Sequence, residues 1–351
     1  MWTGVACALA AGVMWGLVFV GPLLLPEYPP ALLSCGRYVA FGLIALPLAW
    51  LDRRALAQLT RADWIEALKL AAIGNLLYYL CLASAIQRAG GALPTVIIGT
   101  LPVVIAISAN LRDHARDGRL PWRLLFAPLA LIGAGIACVN HAQLHALAEQ
   151  TGAGHAGLDQ AGLDQAGLDL AGLDQAGLDP ARYLSGALLA CVAVACWTWY
   201  PLRNADWLRN HAGREPRTWA TAQGIATLPL ALAGYVVASF WLRAQGDTLP
   251  LPFGPRPQAF IALMAAIGLF ASWLGTLCWN QASQRLPTAV CGQLIVFETL
   301  AALVYVFLWQ GRWPSLPTAG GIALLLGGVL LGVRIKPRKV GPDSSRWATP
   351  G

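Results

Sequence analysis

Glu298 is the eleventh residue of the 23-residue run Thr288–Gln310, which holds no other charged side chain. If that run crosses a bilayer, the carboxylate sits near the midplane. Placing it there costs at least about 2.5 kcal/mol, which makes it a functional candidate by default, as a solute contact or a proton exchanger. Arg37 is the second such charge, eighth in the run Pro30–Leu51 and about 10 Å from its start at 1.5 Å per residue. Three roles are open to it: pairing or coupling with Glu298, touching a solute, or snorkelling to the nearer interface. Aromatic and amide side chains are dense in the same kind of run. Trp15, Tyr78, Tyr79 and Trp197, with Asn280 and Gln293, are the types that hold an organic solute by stacking and hydrogen bonding. Together with Glu298 they form the candidate substrate-binding set.

Other chemistry has little support. The eight cysteines lie in apolar runs without a CxxC and read as small buried hydrophobes rather than disulfides or a zinc site. His141, His145 and Glu149 share a four-residue spacing, but the apolar run beneath them has ended, so no metal site is expected. There is no phosphate-binding loop, nucleophile elbow or zinc-protease motif. A lipid-modifying enzyme would need a cluster of His, Asp or Glu at one interface, and none stands out. The expectation is therefore no enzyme, no cofactor and no ATP-driven step.

The elements that must position these residues follow from composition. Of 351 residues 57% are hydrophobic and 12% charged, with mean hydropathy +0.57. That excludes a nucleic-acid-binding domain, an ordinary soluble enzyme and a disordered chain. Charge-poor runs predict ten spanning helices: Val5–Leu25, Pro30–Leu51, Leu70–Ile86, Ala92–Leu111, Leu124–Val139, Leu184–Leu202, Trp219–Leu242, Ala259–Gln284, Thr288–Gln310 and Leu316–Val333. With the N-terminus inside, inner segments carry eighteen Lys and Arg and outer segments five, so both termini are expected in the cytoplasm.

The two halves resemble each other. Gly4 precedes Trp15 by eleven residues, as Gly186 precedes Trp197, and Leu80–Arg88 matches Leu277–Arg285 at five of nine positions. Five spans per half invert the second copy, so the expected fold is an all-α polytopic membrane protein of ten transmembrane helices in two inverted five-helix repeats. The repeats cover residues 1–140 and 183–336, followed by a cytoplasmic tail, 337–351. Between them, residues 141–182 contain five Ala-Gly-Leu-Asp pentads and read as a low-complexity outer linker. Gly12/Gly16 and Gly328/Gly332 are GxxxG spacings that suit close helix packing and leave a homodimer open. Pro22, Pro47, Pro94, Pro102 and Pro128 are candidate kink positions.

On these residues the chain resembles the EamA-like family of the drug/metabolite transporter superfamily. The carrying pieces are Trp15-Gly16, Arg37-Tyr38, the run Ala83–Arg88 through Leu101-Pro102, Leu286-Pro-Thr288 and Phe297-Glu298-Thr299. Glu298 matches the family's glutamate, whereas Thr299 stands where the family usually shows proline, so no proline-dependent helix break is expected there. The resemblance implies a secondary transporter, an exporter of a small organic metabolite such as an amino acid or related compound, in the bacterial inner membrane. Its partners would be the solute, the lipid bilayer and protons. Two other readings are a broad-specificity drug exporter, whose cavity would be almost wholly apolar, and a non-transporting membrane scaffold.

Overall fold

Prolines and polar caps mark where the chain begins its helices. The computed structural model describes residues 2–19, 24–25, 27–89, 97–112, 121–150, 180–211, 213–311, 313–314 and 316–335, and the regular elements among them are all helical. α1 spans Trp2–Gly16 and continues as a 3-10 turn, Leu17–Phe19. α2 is Pro30–Leu51. α3 is one rod built from Arg61–Lys69, a π-helical stretch Leu70–Leu77, and Tyr78–Ala89. α4 is Leu101–Arg112, α5 Trp122–Gln150, α6 Pro180–Asn210 and α7 Pro216–Ala244. α8 joins Pro257–Ile267, a second π-helical stretch Gly268–Leu274, and Gly275–Arg285. α9 joins Thr288–Leu294 to Val296–Gln310, and α10 is Leu316–Val333. Five of these, α2, α3, α6, α7 and α8, are long and apolar enough to cross a membrane, while α1, α4, α5, α9 and α10 contain shorter apolar stretches.

α2, α7 and α8 each start with proline in the first turn, where the missing N–H has no intrahelical partner to lose. α3 starts instead with a capping box. The Thr60 backbone N–H donates to Asp63 Oδ2 at 2.8 Å, and the Asp63 N–H donates to Thr60 Oγ1 at 3.3 Å. This box starts the helix nine residues before the expected Leu70, and it buries Asp63 and Glu66. Buried charge is therefore not confined to Arg37 and Glu298. Helix ends and apolar runs differ elsewhere for a related reason: hydropathy registers the bilayer, whereas helix length answers to caps and propensity. In the first run regular helix is described as far as Phe19 and again at Leu24, the residues between lying outside those described. α5 continues to Gln150 and α6 begins at Pro180, so both ends of the expected linker are helical. The pentads up to residue 179, the tail from residue 336, Pro22 and Pro94 lie outside the described residues. The backbone of α5 does carry His141, His145 and Glu149 in helical conformation, but their side chains are not among those described.

The helices pack as α2 on α7, α3 on α6, α4 on α9, α5 on α10, and α1 on α8 and α9. Glycines set several of these approaches, and reciprocally. A Cβ on Gly135 would meet Gly321 O at 2.7 Å and Leu325 at 2.8 Å; one on Gly328 would meet Pro128 O and Ile132, each at 2.8 Å. Likewise Gly42 faces Leu228, and Gly224 faces Ala45 and Phe41. Both members of the α2–α7 pair carry a proline inside the helix, Pro47 and Pro229. The GxxxG glycines that left a homodimer open are covered within the chain: Gly12 by Phe297, Gly328 by Ile132 and Gly332 by Gln293. Cys191 is exposed, a departure from the expectation that all the cysteines are buried; its small apolar side chain suits the outer face of an apolar helix.

Adjacent glycines on α10 give a clean test. Gly328→Val should lower stability by about 1–3 kcal/mol through overpacking against Pro128 and Ile132. Gly327→Val, at a position with nothing within 4 Å of its Cβ, should melt like wild type. Equal melting of the two purified variants in detergent would refute glycine-controlled packing of α5 on α10.

Candidate functional site

Aromatic side chains from four helices meet in the interior. Trp15 of α1 lies edge-on to Trp197 of α6, with ring centroids 5.7 Å apart and planes at 67°. Trp279 of α8 lies 5.2 Å from Trp15. Tyr78 of α3 stacks on Trp197 at 4.7 Å, and Tyr200, one helical turn further along α6, stacks on it at 5.2 Å. Each contact contributes about 0.5–1.5 kcal/mol beyond area burial. Two glycines make room: Gly275 lies against the Trp15 indole nitrogen, and Gly74 against the Tyr200 ring. Of the predicted residues, then, Trp15, Tyr78 and Trp197 form one cluster. Tyr200 was absent from the predicted set, although its place three residues after Trp197 puts both on one helix face. The indole N–H groups of Trp197 and Trp279 are buried without a hydrogen-bond partner among the described residues.

Arg37 and Tyr79 stand together in a small, mostly apolar depression lined also by Val18, Leu33, Ser34, Met264 and Ile267. It lies toward the Pro30 and Pro257 ends of α2 and α8. The Arg37 Nε donates to Ser272 Oγ at 3.0 Å, and its guanidinium carbon sits 4.8 Å from the centre of the Tyr38 ring. The predicted ion pair with Glu298 is not formed: among the described residues no Arg37–Glu298 contact lies within 4.0 Å. The reason is competition by Ser272 and the Tyr38 face, which hold the guanidinium in place. The two opposite charges still attract at longer range.

Glu298 sits just after a break in α9. The helix stops at Leu294 and resumes at Val296, and the Glu298 N–H donates to Ile295 O, a tighter turn, at 2.9 Å. The interruption lies at Ile295, ahead of Glu298, and involves no proline. Glu298 falls in the first turn of the second segment, where the partial positive charge of a helix start favours a carboxylate. α4 also opens on a tight turn, with the Val103 N–H donating to Thr100 O at 3.1 Å.

Two predicted residues stand elsewhere. Asn280 does not line the depression: it accepts from Asn204 Nδ2 at 2.9 Å and donates to Pro216 O at 3.3 Å. Its amide is committed to packing because Asn204 is at the centre of a buried network, accepting from Trp219 Nε1 at 2.9 Å and Gln223 Nε2 at 3.1 Å. Gln223 in turn accepts from the Tyr200 hydroxyl at 2.8 Å. Gln293 is fully buried against Gly332, and neither end of its amide has a partner among the described residues.

The cation-rich end is tied shut across the halves. Arg203 reaches Glu66 at 2.8 Å and Arg112 reaches Asp206 at 2.5 Å, while Arg217 pairs with Asp52. Asp63 accepts from Trp207 Nε1 at 2.8 Å and lies 3.4 Å from His211 Nε2. The opposite end is held differently. Tyr28 stacks on Phe260 at 5.0 Å and donates to Phe253 O, and Arg256 clasps Glu27, holding that carboxyl below its ordinary range by hydrogen bonding.

Comparison with known proteins supplies the context for this geometry. Residues 2–139 match the EamA-like transporter family. The inner membrane protein YtfF of Escherichia coli (strain K12) is 54% identical over 340 residues, covering 97% of each chain. A crystal structure superposes with a TM-score of 0.66 at 15% identity over 94% of this chain and 96% of its own, a likeness of fold.

Proposed function

The chain belongs to the EamA-like transporter family, and we propose that it is a secondary transporter exporting a small organic metabolite, such as an amino acid or related compound, across the bacterial inner membrane. In this reading ten helices cross the bilayer as two inverted five-helix repeats. The solute binds between the halves among Trp15, Tyr78, Tyr79, Trp197 and Glu298, and access alternates between the two faces. The reciprocal glycine contacts of α2 with α7 and of α5 with α10 support the repeat, as do the π-helical stretches that recur in α3 and α8. The ion pairs at the cation-rich end, with the depression toward the other end, suit a carrier caught open to one side. The observation that carries the proposal is the aromatic cluster, drawn from both halves beside a carboxylate at a helix break.

A metabolite screen tests it. Cells overproducing the protein should release a small set of metabolites that an empty control retains, and a Trp15→Ala, Trp197→Ala double variant at equal membrane level should release at least tenfold less. Identical profiles for overproducing and control cells would overturn the transport reading. Unchanged release by the double variant would displace the aromatic site. Release of fewer metabolites than that set would favour a drug exporter, and a scaffold would tolerate the double variant. Orientation has its own check: reporters at both termini should read cytoplasmic and one inserted at residue 165 external, and a cytoplasmic signal at 165 would break the inversion.

A further inference from the structure

Arg37 differs from the other described arginines in lying well inside one of the ten apolar runs rather than beyond an end. Arg112, Arg203, Arg217 and Arg256 each meet a carboxylate, and all belong to the two ends of the helices. Arg37 is half-buried within α2, and its structurally recorded partners are a hydroxyl and an aromatic face. Glu298 attracts the guanidinium only from beyond 4.0 Å, so no anion is in contact with this half-buried cation, an unfavourable arrangement that an anion in contact would relieve.

Its direction matters as much as its charge. An arginine about 10 Å inside a span can relieve itself by snorkelling back to the near interface. Arg37 turns the other way. α2 and α8 start at the same end of the bundle, the end marked by the Tyr28–Phe260 stack. Arg37 is seven residues into α2, whereas Ser272 is fifteen residues into α8, about 22 Å deep at 1.5 Å per residue. The Nε–Ser272 bond therefore draws the guanidinium toward the middle of the bundle. Ser272 lies in the π-helical stretch Gly268–Leu274, three residues before Gly275, which packs against the Trp15 indole. With Nε held, the planar fork of the terminal nitrogens is left to the depression, next to Ser34 and Tyr79.

We infer that Arg37, oriented by Ser272, is the subsite for an oxyanion of the transported solute, a carboxylate above all, with Ser34 and Tyr79 as neighbouring donors. This rests on the transport reading and narrows it to solutes that carry an anionic group. Arg37 contacts the solute; Ser272 is a positioning residue that acts through Arg37. The same chemistry would accept a lipid phosphate, and the test separates the two sources.

The experiment has two arms. In the first, cells producing wild type, Arg37→Lys, Arg37→Gln or Ser272→Ala at equal membrane levels are compared for metabolite release. The released compounds should carry a carboxylate or another oxyanion. Arg37→Gln should lower their release at least tenfold and Arg37→Lys should restore part of it. Ser272→Ala should raise the half-saturating concentration several-fold with little change in maximal rate. Release confined to compounds without an anionic group, or wild-type release by Arg37→Gln, would overturn the inference while leaving transport intact.

In the second arm, purified protein in phosphatidylcholine nanodiscs is melted with 3-phenylpropionate or with its uncharged amide. The acid should raise the melting temperature of wild type and not of Arg37→Gln, and the amide should do neither. That result upholds the anion subsite even if the release screen is negative and the transport reading falls. An equal response to acid and amide, or none to either, overturns the subsite. If adding phosphatidylglycerol to the nanodiscs raises the melting temperature through Arg37 and the acid does not compete, the anion is a lipid phosphate and the solute assignment is overturned.

Discussion

Replacing Glu298 by glutamine should abolish solute export while leaving the protein folded. Export by the variant is expected to fall to the level of empty cells, a loss of at least a hundredfold, with a melting temperature within a few degrees of wild type. The physical reasoning has three parts. Gln keeps the shape and volume of the side chain, so no cavity opens. It removes a charge whose burial in the span is unfavourable in itself, so stability has little to lose. And because Arg37 is held by Ser272 and the Tyr38 ring rather than by an ion pair with Glu298, the substitution strands no salt-bridge partner. What Gln cannot do is release or take up a proton, or offer a full negative charge at the break between Leu294 and Val296. Measuring export and melting in parallel decides between readings. A stable Glu298→Gln variant with full export would remove the carboxylate from the mechanism. A variant that melts far below wild type would make Glu298 a structural residue, held by the helix start that it faces.

Asn204→Leu should show the opposite pattern, a large loss of stability. Asn204 accepts two hydrogen bonds and donates one, joining α6 to Trp219 and Gln223 of α7 and to Asn280 of α8. Leucine fills the space yet leaves an indole N–H, an amide N–H and an amide oxygen buried and unpaired. Each stranded group costs about 1–3 kcal/mol, so a loss of roughly 3 kcal/mol or more is expected. Partial recovery of neighbours through other groups would show as non-additivity in a double-mutant cycle with Gln223→Leu. Tyr200 hangs from Gln223, so the network also fixes one wall of the aromatic cluster. Detergent melting within about 0.5 kcal/mol of wild type would show that the network carries no stability.

The helical, membrane-embedded class of this protein was legible from residues alone, because both signals are additive over long runs. Twenty apolar residues in sequence leave little but a spanning helix. The family was legible for a similar reason: Trp15-Gly16, Arg37-Tyr38 and Phe297-Glu298 sit at fixed places along those runs. The paired tryptophans, Trp15 and Trp197, could be found by their matching distances from Gly4 and Gly186, and the fold brings their rings to 5.7 Å. Local rules also reached the Thr60–Asp63 box in principle, since a threonine three residues before an acid is a helix start.

Tertiary structure alone decided which polar groups are partners and which are free. Asn280 and Asn204 are 76 residues apart, and no spacing rule links them; only the packing of α8 against α6 and α7 turns Asn280 into a packing residue. Asp63 and Glu66 look like solvated charges ahead of an apolar run until Trp207 and Arg203 bury them. The break at Ile295 and the π-helical stretch carrying Ser272 depend on backbone hydrogen-bond choices that side-chain identity biases only weakly. Arg37 shows the division most clearly. Its sequence position set its depth in the span, but whether the guanidinium turned to the interface or to the interior depended on Ser272, 235 residues away. Periodicity along one helix is a property of that helix, whereas the direction of a long side chain is settled by whichever helix packs beside it.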